Sequence, residues 1–191
     1  MKKLLYILFV GLLICSCTSS TKKFNVENII STDKEYMSKT YGDDYRWFET
    51  CILLNDYLDS EDCNGKVAGI SNIFQVVIPK DNAFDTQVIL ASHTKDNNSV
   101  EVKHAFWVED FPITEDSIIK FKDAYFKVMA TNLPKPHSKQ VVLRKQIGPK
   151  PCNPQYIFGN IQSQVYVDAI TGVVTDINPA FGDTISLGSR W

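Results

Sequence analysis

Nucleophilic catalysis needs a serine or cysteine beside a base, with a third group to orient that base. In this 191-residue chain the candidates are His137, Ser138 and Cys152. His137 and Ser138 are sequence neighbours, whose side chains usually point apart, and no Gly-x-Ser-x-Gly elbow occurs anywhere. Cys152 with His137 is the better pair, because both sit in proline-rich loops flanking one expected strand and could converge. A disulfide or a buried thiol explains Cys152 more simply, since the sequence signatures of catalytic cysteines are missing. Metal chemistry has less to work with: His93, His104 and His137 are far apart and lack the short ligand spacing of a zinc site. Asp43 with Asp44, and Glu61 with Asp62, fall in or beside expected turns and read as solvated surface; the oxygen-ligand pattern of an EF-hand is absent. No metal and no cofactor is expected.

The two loops are themselves unusual. Residues 133–138 place Lys135 and His137 around Pro134 and Pro136, and residues 148–154 set Lys150, Cys152 and Asn153 among three prolines. Proline fixes φ and lowers the entropy lost on binding, so Lys135, His137 and Ser138, together with Lys150, Cys152 and Asn153, form the expected contact surface. Prolines also terminate helices and protect sheet edges, which is the purely structural account of the same residues.

At the amino terminus Lys2 and Lys3 precede an unbroken apolar run over residues 4–14, the layout of a secretory leader. It is shorter than the roughly 20 apolar residues that span a bilayer. The run ends in Ile14, Cys15, Ser16 and Cys17, which resembles the bacterial lipobox, with Ser16 as the small residue before the acylated cysteine. The resemblance implies lipidation of Cys17; Cys15 fits less well because the bulky Ile14 would stand before the cut. Residues 1–16 are then a removed leader, 17–25 a polar tether and 26–191 the fold, held in a bacterial cell envelope on the outer-membrane, periplasmic or surface face. The leader takes away two of the 20 basic residues against 22 acidic ones, leaving a net charge of about −4. Nucleic acid is excluded as a partner, since phosphate binding needs clustered positive charge. Outside the cytoplasm disulfides persist. Sequence proximity favours a Cys51–Cys63 bridge, while a bridge to Cys152, or three reduced and buried thiols, stays open.

These residues need elements to hold them. Thr32 followed by Glu35 has a capping-box pattern, and Tyr36, Trp47, Cys51, Leu54 and Leu58 recur at helical intervals, predicting a helix to about Asp59 that is broken near Gly42. Extended segments follow at 70–78, 86–93 and 100–109, the last with Val100, Val102, His104, Phe106 and Val108 on one face. Thr114, Glu115 and Asp116 predict the start of a second helix whose stripe is Ile118, Phe121, Tyr125, Val128 and Met129. Strands are expected at 140–147, 155–158, 164–168 and 173–177, the last two joined by a hairpin through Gly172. Runs of strands without βαβ alternation give an α+β class, antiparallel sheet packed on two helices, as one body or as two αβββ units over 26–112 and 113–191.

From about 114 to 177 the chain resembles a PepSY-type, cystatin-like module of exported bacterial proteins. The residues that carry this are the helix at 116–130, the strand at 140–148 and the run Val165, Tyr166, Val167, Asp168, Ala169, Ile170, Thr171, Gly172, Val173 and Val174. The proline-rich insertion at 148–154 departs from that pattern. The resemblance implies a non-enzymatic module that binds or restrains peptidases or other envelope proteins, with Asp168 holding its turn. The expected function is therefore a membrane-anchored lipoprotein that binds a protein or peptide. The alternatives are an envelope enzyme using Cys152 and His137, or a carrier of a small apolar ligand between sheet and helix.

Overall fold

Asn25 sits in an extended conformation and its side chain accepts the Asn28 N–H at 2.9 Å, which starts the first helix, α1 (Val26–Tyr41). Gly42, at φ +63°, returns its N–H to the Ser38 carbonyl and stops it. The computed structural model describes residues 24–58, 63, 66–80, 83–160 and 162–182. The leader, Cys17, most of the tether, Glu61, Asp62 and Trp191 lie outside the described residues. The tether ends earlier than Asn25, because Phe24 is buried in the core.

The helix does not continue toward Asp59. Residues Tyr45–Leu54 are a strand, β1. A bulge at Phe48 breaks its register, so Trp47 shares the core side with Thr50, Ile52 and Leu54 while Cys51 and Leu53 face outward. That one-residue slip gives a strand some spacings of a helix. The strands β2 (Val67–Lys80), β3 (Ala83–Thr94) and β4 (Asn98–His104) follow as an antiparallel meander. β4 stops at His104, short of Glu109, because Trp107 leaves the ladder: its N–H goes to Gln75 Oε1 at 2.7 Å and its indole N–H to Asp110 Oδ2 at 3.2 Å.

The short strand β5 (Asp110–Phe111) leads to an extended stretch and then to α2 (Phe121–Ala130), seven residues later than Thr114. Glu115 cannot act at a helix start, since Lys145 holds its carboxylate at 2.5 Å and its other oxygen accepts the Thr114 N–H. The cap comes from the other helix: Glu27 of α1 accepts the Phe121 N–H at 2.7 Å. Beyond it run β6 (Gln140–Gln146), β7 (Gln155–Asn160), β8 (Ser163–Asp168) and a two-residue β9 (Val174–Thr175), shorter than the expected 173–177.

The described strands form one nine-stranded antiparallel sheet, in the order β4-β3-β2-β1-β6-β7-β8-β9, with β5 added beside β6. Each half is a helix followed by a four-stranded meander, and the halves meet where the first strand of one pairs with the first strand of the other, Glu49 opposite Arg144 through Leu53 opposite Gln140. Both helices cover the same face, for Met37 of α1 and Phe121, Tyr125 and Val128 of α2 belong to one core with Ile52, Phe74, Leu143 and Phe158. On the second half the other face is also covered. There Ile157 and Tyr166 are buried together with Ala180 of the segment 176–182, and the Lys150 N–H binds the Ala180 carbonyl.

Under α1 the core is polar. Trp47 Nε1 donates to Thr50, the Thr50 hydroxyl to Asn72 Oδ1, Asn72 Nδ2 to Asp33 Oδ2 at 2.6 Å, and His93 Nε2 meets the same carboxylate at 3.0 Å. At the seam, Arg144 donates from Nε to Asp110 at 2.6 Å and lies 3.9 Å from Glu49. Burial, reinforced by Asp110, lifts the Glu49 carboxyl to about 7 against the pull of Arg144, with Glu109 adding to the rise.

Two outcomes follow. Asp33→Ala leaves Asn72 and His93 facing an empty acceptor position, and urea unfolding should record a loss of about 3 kcal/mol. Glu49 keeps a proton in the fold that the unfolded chain releases above about 4.5, so stability should fall as pH rises from about 4.5 to about 7. Glu49→Gln should flatten that part of the stability–pH curve.

Candidate functional site

The second half carries a groove of about 550 Å³ at the end of the sheet where β6 and β8 finish and β7 begins. One wall is the loop 148–154, with Pro151, Cys152 and Asn153; the facing residues are Phe111, Val173 and Pro179. The sheet places the floor. In β7 the side chains of Tyr156 and Phe158 point into the core, so alternation turns Gln155 away from it, and Gln155 pairs directly with Asp168 of β8.

Asp168 holds the hairpin that follows it. Its Oδ1 accepts the N–H groups of Ile170 and Thr171 at 2.9 and 2.8 Å, and Asn153 Nδ2 reaches its other oxygen at 3.0 Å from the proline-rich loop. Burial opposes the charge on Asp168, but these hydrogen bonds outweigh it and hold the carboxyl below its ordinary value. Gly172, at φ +73°, closes the turn, and a Cβ there would meet the Lys127 side chain.

Gln155 is 1% exposed. Its amide nitrogen donates to the Asn153 carbonyl at 2.9 Å and approaches Asp168 Oδ2 at 3.5 Å. Both partners can only accept, which fixes the orientation of the amide. Its oxygen is left buried without a hydrogen-bond partner. Around this acceptor the rim is apolar and accessible, Phe111 being 48% and Val173 62% exposed. A ligand that suits the groove donates an N–H inward and offers apolar groups at the rim.

The other expected residues are used differently. Lys135 caps the end of α2, donating to the carbonyls of Val128 and Thr131 at 2.6 Å each. His137 stacks on Tyr57 with ring centroids 3.7 Å apart, and Ser138 Oγ accepts the Gln140 N–H. Lys150 is exposed, with its backbone engaged beneath residues 176–182. The two loops do not converge. They lie at opposite ends of β6, a strand of seven residues and so about 20 Å long, and His137 is not placed to act on Cys152. Burial raises the Cys152 thiol, with Lys145 opposing and Asp168 adding, which is the reverse of what a nucleophilic thiolate needs.

The Cys51–Cys63 bridge does not form. Cys51 faces outward from β1, where Gln140 Nε2 donates to its sulfur, whereas Cys63 lies in the core on the other side of the sheet; no disulfide links these residues or Cys152. Among the described residues no three His, Cys, Asp or Glu side chains converge as a metal-binding set, and no helix is long and apolar enough to cross a membrane. Under α2 the interval between sheet and helix is packed by Tyr125, Val128 and Phe158, while a cavity of about 160 Å³ opens beside α1, lined by Ile30, Trp47, Ile118, Leu143 and Tyr156 among others.

Sequence reasoning marked Cys152, Asn153 and Asp168 but missed Gln155, whose position beside Asp168 exists only through the β7–β8 register. It also missed the Asp33–His93 contact, which spans 60 residues. Comparison with known proteins gives no match: no family model fits the chain, and no curated protein or solved structure is significantly similar to it.

Asp168→Ala removes an ionised acceptor from two backbone N–H groups and Asn153. The loss should be about 2 kcal/mol at neutral pH, read by chemical denaturation. Because the folded carboxyl lies below its ordinary 3.8, the part of this contribution that depends on its charge should be present above that value and lost as pH falls through the folded one.

Proposed function

We propose that this protein is a membrane-anchored lipoprotein of a bacterial cell envelope, exported by residues 1–16, acylated at Cys17, and non-catalytic, whose α+β fold binds an envelope protein or peptide. The observation that carries the binding role is the groove at 148–154, where a buried acceptor on Gln155 lacks a donor beneath an accessible apolar rim. A polypeptide supplies both complements, N–H groups along its backbone and apolar side chains beside them. Kinship with cystatin-like PepSY modules is part of this reading, supported by the helix-then-meander order of each half and by Asp168 holding its hairpin.

The anchor sets the reach. Cys17 and Phe24 are seven residues apart, so even a fully extended connection holds the buried Phe24 within about 25 Å of the acylated sulfur. The partner is then a protein of the same surface, or one that comes close to it. Acyl chains bury methylenes worth about 0.8 kcal/mol each, and two or more retain the fold at the membrane.

In cells fed an alkyne-tagged fatty acid, the chain should take up label at Cys17, and Cys17→Ser should lose both the label and membrane sedimentation. A photo-crosslinking residue at Val173 should capture a discrete protein that one at Val77, on the first half, does not. An unlabelled Cys17, or the same products from both positions, would overturn the proposal.

A further inference from the structure

β4 ends the sheet, and all seven of its residues are exposed. Which backbone groups remain open follows from the ladder with β3. The Ala105 N–H binds the Thr86 carbonyl and the Asn97 carbonyl accepts the Thr94 N–H, so the odd-numbered residues face β3. Val100, Val102 and His104 therefore turn their N–H and C=O groups outward, where no described strand pairs with them. Their side chains fall on the helix side of the sheet, with Val100 and Val102 54% and 47% exposed. Glu101 and Lys103 stand on the opposite side, 3.1 Å apart.

We infer that β4 pairs with the β4 of a second copy of this chain, antiparallel and centred on Val102. In that register Val102 faces its own counterpart as a hydrogen-bonded pair, and Val100 faces His104 of the second copy, so every outward group meets its complement. On the other side each Glu101 stands opposite a Lys103, twice over by symmetry. Charged residues usually protect an edge by repelling a like edge. Here the signs alternate about Val102, so the same charges attract a second copy and disfavour an edge carrying a single sign. Phe106 and Val108, the most exposed large apolar residues near this edge, follow it directly in the chain. The inference does not depend on the groove reading, since β4 lies at the other end of the sheet from β8 and β9.

A charge exchange tests it on the full-length chain extracted in mild detergent, with the protein mass of the complex measured by light scattering over a range of concentrations. The wild type should be dimeric. Glu101→Lys places Lys against Lys on both halves of the contact and should weaken association on the order of tenfold or more. Adding Lys103→Glu restores opposite signs and should return the dimer. These residues are exposed, so thermal midpoints should change little among the three proteins. Val102→Cys should also form a disulfide with itself under mild oxidation, while Val77→Cys should not. A monomeric wild type, an unaffected Glu101→Lys variant, or a double variant that stays as weak as the single one would overturn the inference.

Discussion

The pairing of β1 with β6 is the constraint from which the rest of the architecture follows. Each meander alone would present its first strand as an open edge, and joining the two first strands removes both edges at once. The antiparallel ladder fixes which side chains share a face, so Thr50, Ile52 and Leu54 of one half line up with Val141 and Leu143 of the other. One continuous core results, and both helices must lie upon it. Their amino ends come together there, close enough for Glu27 of α1 to supply the cap that α2 lacks in its own sequence. Arg144 performs the matching task on the outward face, drawing Asp110 and Glu49 toward the seam.

The two halves fill this frame differently. α1 buries Val26 and Met37 fully and Ile29, Ile30 and Tyr41 in part, and is docked as well through Asp33 by the hydrogen-bonded series from Trp47 to His93. Such a series specifies position more sharply than apolar contact, because a shift leaves buried donors unmatched. α2 is docked by aromatic packing among Phe121, Tyr125, Tyr156 and Phe158. The second half carries a layer on its outward face as well, and the edge of that layer is the wall of the groove. The insertion at 148–154 is held there by Gly148, whose missing Cβ lets the Ala180 carbonyl approach to a point 2.5 Å from where a Cβ would stand.

Much of the second half was legible from local chemistry. The hairpin after Asp168 was readable because an aspartate, a glycine at positive φ and flanking β-branched residues act within a few positions of one another. The α+β class followed from the runs of strands. Segment 45–54 was misread because Trp47, Cys51 and Leu54 fall at helical intervals although Cys51 faces the opposite side of the strand from the other two, whereas the aromatic and β-branched content of Tyr45, Trp47, Phe48, Thr50 and Ile52 favours a strand. The start of α2 was misplaced because its cap is donated from residue 27, and no local pattern encodes a contact across 94 positions. His137 and Cys152 looked convergent because the sequence shows that they flank one strand; the length of that strand, which parts them, is a three-dimensional fact.

Edge and groove stand at opposite ends of one sheet, and this bears on how the protein would work at a surface. Pairing through β4 leaves the groove of each copy open and, under the anchoring proposed for Cys17, would add a second lipid anchor to the same body. Two acyl groups held on one rigid body bind a membrane far more firmly than either does separately, since the second enters at the high local concentration set by the first. Two grooves on one sheet likewise favour a partner that is itself repeated or clustered over one that is single. Under the anchoring proposed for Cys17, its short reach to Phe24 would keep both halves of such an assembly close to the bilayer and restrict its orientation by two tethers where a single copy could still swivel about one. Affinity for a clustered partner of the kind proposed would then arise from geometry fixed by strand pairing, without any groove having to bind tightly by itself.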